Sequence, residues 1–125
     1  MNPILIVDDE FLIRYTLEEG LKDRGYDAYS AATVEEGLEF VRKYHPGVLL
    51  LDNLLENSVG MDEIVNFKNA DEELQVIMMT AYGSVSQAVE ATKRGAYDYI
   101  LKPFDVDEID MLIKRCLEQK RNRDS

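Results

Sequence analysis

Ile4-Leu5-Ile6-Val7-Asp8-Asp9 is a run of four apolar residues that stops on two carboxylates. Continuous rather than alternating apolarity suits a strand buried on both faces, as in a parallel sheet covered by helices. Working outward, the same unit recurs. Residues 10–24 place Ile13, Leu17 and Leu21 four apart on one helical face, with Gly25 as the stop. Residues 26–30 read as a second strand. Thr33 and Glu36 form a capping box that opens a helix carrying Val34, Leu38 and Val41, and His45-Pro46-Gly47 ends it. Val48-Leu49-Leu50-Leu51 is a third strand, and it stops on Asp52.

The second half repeats the alternation. Met61, Ile64, Val65 and Lys68 fit a short helix, and Val76-Ile77-Met78-Met79 is a fourth strand that stops on Thr80. Ser84 and Gln87 form another capping box, with Val85, Ala88, Val89 and Thr92 on one face. Lys93 and Arg94 complement that helix's carboxyl end, and Gly95 closes it. Residues 97–101 are a fifth strand, running into Lys102-Pro103. Asp105 and Glu108 cap a last helix whose Ile109, Leu112, Ile113, Cys116 and Leu117 recur at core spacing. Five βα units in succession predict a five-stranded parallel sheet with helices on both faces.

Composition sets the limits. The chain has 125 residues, the size of one domain, and 46% of them are hydrophobic. A chain of this mass buries about two-thirds of its surface, enough for a core without disulfide or metal staples. The formal net charge is −11, which repels phosphate backbones and anionic lipid and argues against direct nucleic-acid binding. One cysteine and one histidine exclude an internal disulfide and a structural zinc site. Cys116 reads as a small core residue, and His45 as a solvated loop histidine. No apolar run approaches the ~20 residues of a membrane span, and Asp8-Asp9 interrupts any leader-like start. The chain therefore reads as soluble and cytoplasmic.

In open parallel sheets, sites form beyond the carboxyl ends of the strands. Asp8-Asp9, Asp52, Thr80 and Lys102 all fall at that edge. If the strand order is 2-1-3-4-5, strands one and three are neighbours and Asp8, Asp9 and Asp52 converge. Three carboxylates ~5 Å apart repel by several kcal/mol per pair at an effective dielectric near 20, so they require protons or a shared cation. All-oxygen ligands on an open edge suit Mg²⁺. With a hydroxyl and an ammonium beside them, these groups can support phosphoryl transfer, with Asp52 as the nucleophile.

Asp8-Asp9, Asp52, Thr80-Ala81 and Lys102-Pro103-Phe104, in this order and spacing, resemble the receiver domains of two-component response regulators. The match runs over about residues 3–118. The stretches from Thr80 to Val85 and from Gly95 to Phe104 look especially like the NtrC-type transcriptional activators. The 2-1-3-4-5 order is the one established for this family and is taken from the resemblance, not from the pattern.

The resemblance implies that Asp52 accepts a phosphoryl group from a sensor histidine kinase. It implies Mg²⁺ bound by Asp9, Asp52 and the backbone carbonyl of Leu54, with Asp8 acting through water. Thr80 and Lys102 would grip the phosphoryl group, Tyr99 would be the switch aromatic, and the Lys102–Pro103 bond would be cis. It further implies a phosphoacceptor rather than an enzyme, a receiver over residues 1–120, and residues 121–125 as a tail or the start of a linker to an output domain in cis. The readout face would be the fourth helix, fifth strand and fifth helix, which is also the face for a homodimer.

One departure stands out. Receivers usually carry Pro four residues after the acceptor; here that place is Glu56, although Gly60 is where expected. That leaves a phosphorylation-independent pseudo-receiver as the alternative. Leu54 and Tyr82 hold the two positions that, in the family, tune loss of the phosphoryl group. A haloacid-dehalogenase-type hydrolase needs D-x-D at its nucleophile, and Asp52-Asn53-Leu54 lacks the second acid. A flavodoxin-like FMN carrier is disfavoured by the carboxylates after strand one.

Overall fold

The structure, a computed structural model, describes residues 3–55, 59–81 and 85–124, with side chains through 120. The element order is β1 (Ile4–Val7), α1 (Phe11–Asp23), β2 (Ala28–Ala31), α2 (Val34–Tyr44), β3 (Val48–Asp52), α3 (Gly60–Ala70), β4 (Gln75–Thr80), α4 (Val85–Lys93), β5 (Asp98–Leu101) and α5 (Val106–Asp124). All strand pairs are parallel, in the order β2-β1-β3-β4-β5. The central strands β1 and β3 are buried at every position, as their continuous apolarity requires. The two sheet faces carry separate cores. Ile4, Ile6, Leu50 and Ile77 pack with Leu17, Leu21, Ile109 and Ile113 of α1 and α5. Leu5, Leu49, Leu51 and Met78 pack with Val41, Ile64, Phe67 and Ala91 of α2, α3 and α4.

Two strands start later than the sequence suggests, and each follows a helix closed by a glycine. Gly25 adopts φ +90° and Gly95 φ +112°, where an L side chain is strained. After α1, the amide of Gly25 donates to the Lys22 carbonyl and that of Tyr26 to Leu21. After α4, Gly95 donates to Thr92 and Ala96 to Ala91. Both pairs are Schellman motifs, and after α1 the closure takes up Tyr26, which the sequence placed in the strand. Cys116 is buried in the α5 core as expected, and the Thr33 hydroxyl caps α2 by accepting from the Glu36 amide at 3.2 Å. The Asp105 carboxylate caps α5 by accepting from Glu108 at 2.9 Å.

Two helical faces are only partly covered. In α3 the buried side is Gly60, Ile64 and Phe67, while Val65 faces solvent. In α4 only Ala91 is buried, and the stripe of Val85 and Val89 is 83% and 47% exposed. That stripe is apolar but lies outside the domain's own core. The Ser84 capping box falls outside the described residues. Among the described residues no helix is long and apolar enough to cross a membrane.

Candidate functional site

Strand register decides what meets at the carboxyl edge. Val7 pairs with Leu51, so Asp8 leaves β1 beside Asp52, the last residue of β3. Asp52 pairs with Met79 and Thr80 with Leu101, which sets Thr80 and Lys102 on the following two strands at the same edge. Asp8 and Asp52 are almost fully buried, at 0% and 4% exposure, and Thr80 is buried with them. Asp9 is half-exposed and forms the open side.

Carboxylate oxygens of Asp8, Asp9 and Asp52 all lie within 4.8 Å of one another. Lys102 reaches over them. Its Nζ is 3.1 Å from Asp8 Oδ2 and 3.0 Å from Asp52 Oδ1. Backbone bonds hold the frame: the Lys102 amide donates to the Thr80 carbonyl at 2.7 Å, and Arg14 Nη1 to the Asp8 carbonyl at 2.8 Å. The Lys102–Pro103 peptide is cis. Burial pushes the Asp52 carboxyl up from its ordinary value, helped by the charges of Asp8 and Asp9, while the bond from Lys102 opposes the rise. Burial works against the Lys102 ammonium, but Asp52 and Asp8 outweigh it and hold Lys102 above its ordinary value. Three oxygen donors on an open edge fit a hard divalent cation that keeps part of its water shell.

The remaining expected residues lie around this cluster. Leu54 is 53% exposed at the rim, in an isolated antiparallel bridge to Val59. Tyr99 is half-buried on the sheet face that α4 covers. Glu56 and Tyr82 fall outside the described residues. An apolar cleft of about 400 Å³ abuts the cluster, lined by Leu12, Ile13, Thr16, Lys102, Phe104 and Val106 among others.

Two features of this edge were not read from the sequence. The first is Asn53, buried directly after Asp52, whose Oδ1 accepts from the Met61 amide at 3.0 Å. The second is the reason for Gly60: a Cβ there would stand 2.2 Å from the Asp52 carbonyl oxygen. A polar residue after an apolar strand, seven positions before a helix opened by the non-capping Val59, is the signal that points to Asn53.

Comparison with known proteins agrees with this geometry. The family model described as the response regulator receiver domain matches residues 4–114. The chain belongs to that family. Receiver domains are phosphoacceptor regulators that take their phosphoryl group from histidine kinases. Sporulation initiation phosphotransferase F of Bacillus subtilis (strain 168) is 39% identical over 95% of this chain and 96% of its own length. Regulatory protein AtoC of Escherichia coli (strain K12) is 36% identical over 94% of this chain, which spans only 26% of AtoC. Among solved structures, the beryllofluoride-activated NtrC4 receiver domain dimer superposes with a TM-score of 0.90 at 33% identity, covering 96% of this receiver and 99% of that chain. A CheY-like receiver from Methanospirillum hungatei JF-1 gives 0.92 at 28% identity, covering 98% of each.

Proposed function

We propose that this receiver is a phosphorylation-dependent switch in which Asp52 accepts the phosphoryl group. The observation that carries the reading is the Asp52 carboxylate, buried at a strand end, with the Lys102 ammonium at 3.0 Å and Asp8 and Asp9 within 4.8 Å. An oxygen of Asp52 attacks the phosphorus of a phosphohistidine. The O–P bond forms, the P–N bond breaks, and the electron pair leaves on the imidazole nitrogen, which takes a proton. Lys102 then moves its bond from carboxylate to phosphoryl oxygen, and the Thr80 hydroxyl donates to another. Asp9, Asp52 and the Leu54 carbonyl would hold Mg²⁺, with Asp8 through water. The metal would supply neutralisation of charge on the phosphoryl oxygens. The apolar cleft beside Lys102 supports docking of the donor kinase there.

Product formation draws Thr80 inward and Tyr99 follows, shifting the α4–β5–α5 face toward its active packing by the phosphoryl group's differential binding energy. The exposed Val85, Val89, Leu101 and Met111 support that face as the one that pairs two receivers. The receiver occupies residues 1–120, and the run of α5 to Asp124 supports a helical linker leading to an output domain, transcriptional by likeness to the NtrC-type relatives. The whole switch works in the cytoplasm. The 39% identity to sporulation initiation phosphotransferase F supports a second reading, in which Asp52 passes its phosphoryl group onward.

Intact-protein mass spectrometry after incubation with acetyl phosphate tests the reading. One added phosphoryl group, dependent on Mg²⁺ and lost in Asp52→Asn, is the expected result. No gain in the wild type would favour the pseudo-receiver alternative.

A further inference from the structure

We infer that Asn53 is a positioning residue for phosphoryl acceptance, holding the start of α3 against the end of β3 so that the metal-binding edge keeps its shape. This deepens the proposed function and rests on it. Asn53 is bonded through its backbone amide, its backbone carbonyl and its side-chain Oδ1. Its amide donates to the Met79 carbonyl at 2.9 Å, tying it to β4. Its carbonyl accepts from the Gly60 amide at 2.7 Å, and its Oδ1 accepts from the Met61 amide at 3.0 Å. Gly60 and Met61 open α3, and the first amides of a helix have no partners within it. Val59 precedes them with no side-chain cap bond of its own, so Asn53 caps α3 from across the loop.

The consequence for the site is geometric. Asp52 lies immediately before Asn53, and Leu54, whose carbonyl is the proposed metal ligand, immediately after it. Both peptide groups that flank Asn53 are therefore pinned, one to β4 and one to α3. The absence of a Cβ at Gly60 lets α3 approach to where these bonds form. Groups that orient metal ligands commonly contribute ten- to a hundredfold to affinity or activity.

The test compares wild type, Asn53→Leu, Asn53→Asp and Ile64→Val. Ile64 is buried in α3 away from the loop's bonds, so its variant lowers stability while leaving the clamp intact. Three quantities are read: hydrogen exchange at the Met61 amide, Mg²⁺ affinity by calorimetry, and the initial rate of phosphorylation by acetyl phosphate. In Asn53→Leu, Met61 exchange should accelerate at least tenfold, and Mg²⁺ affinity and phosphorylation rate should each fall about tenfold. Asn53→Asp keeps an acceptor at the same reach and should restore Met61 protection. If Asn53→Leu does not fold, Asn53→Ser, too short to reach Met61, takes its place.

Unchanged Mg²⁺ affinity and rate in Asn53→Leu, or equal losses in Ile64→Val, would overturn the inference, as would a Met61 amide still protected without Asn53. If the wild type takes no phosphoryl group, the proposed function fails, while Met61 exchange and Mg²⁺ affinity still decide what Asn53 does.

Discussion

Removing the Lys102 charge, by Lys102→Met, tests how the acidic cluster is tolerated. At an effective dielectric near 20, each Lys102–carboxylate contact at 3.0 and 3.1 Å contributes about 5 kcal/mol of attraction. Each of the three carboxylate pairs within 4.8 Å contributes at least about 3.5 kcal/mol of repulsion. The totals are of the same size, so one ammonium nearly offsets three anions. Without it, one carboxyl takes a proton instead. From an ordinary value near 3.9, protonation at pH 7 costs about 4 kcal/mol, which caps the loss. Urea unfolding in chelator at pH 7 should therefore show Lys102→Met less stable by about 2–4 kcal/mol. The folded variant binds more protons than its unfolded chain between pH 4 and 7, so its deficit shrinks as pH falls. Adding Mg²⁺ should narrow the deficit, and Asp8→Asn in the Lys102→Met background should raise stability. A deficit under about 0.5 kcal/mol, or a double variant no more stable than Lys102→Met, would refute the charge-balance reasoning.

Gly60→Ala should cost more than about 2 kcal/mol in urea unfolding, because its Cβ meets the Asp52 carbonyl oxygen at 2.2 Å; Gly25→Ala, with open space but φ +90°, should cost about 1 kcal/mol. The Tyr26 hydroxyl donates to Asp110 Oδ1 at 2.6 Å, and Tyr26→Phe should lose about 1–2 kcal/mol at pH 7. Burial pulls the Asp110 carboxyl up, but its bonds from Tyr26 and Lys114 outweigh this and hold it below its ordinary value. That contribution is present above about pH 4 and disappears as pH falls through the lowered value, so the Tyr26→Phe penalty at pH 7 should exceed that at pH 2.5. Leu54→Asn, at the exposed rim beside the proposed acceptor, should shorten the lifetime of the phosphorylated protein by admitting water, read as decay of the added mass; an unchanged lifetime would count against shielding.

What was legible in the sequence follows the range of the interactions involved. Ile4–Val7 and Val48–Leu51 declare themselves because burial on both faces leaves no room for a polar residue, and the acid that ends each run marks the sheet edge. Strand ends are local facts, so Asp8, Asp52, Thr80 and Lys102 could be placed together once the strands were. Their adjacency was not local: it needs the 2-1-3-4-5 order, which the family resemblance supplied. Less legible was what covers each helical face, to which periodicity is blind. Val65 and Val89 lie on good apolar stripes, yet a stripe says only that a helix has two sides. In α3 the core took Phe67, and in α4 it took Ala91 alone.

The Asn53–Met61 bond shows the same limit at the site itself. Only Met61 belongs to a predicted element, and the bond exists because the start of α3 comes close enough to the end of β3 that a Cβ on Gly60 would touch the Asp52 carbonyl. The spacing of charged groups across strand ends is set by the sheet, whose 3.2–3.4 Å rise and ~4.8 Å strand separation are nearly invariant. The path of a loop is set by its own few bonds, each worth about 1 kcal/mol, and differs from one sequence to the next. The acidic cluster therefore belongs to the fold, whereas the tie between the end of β3 and the start of α3 that frames it rests on Asn53.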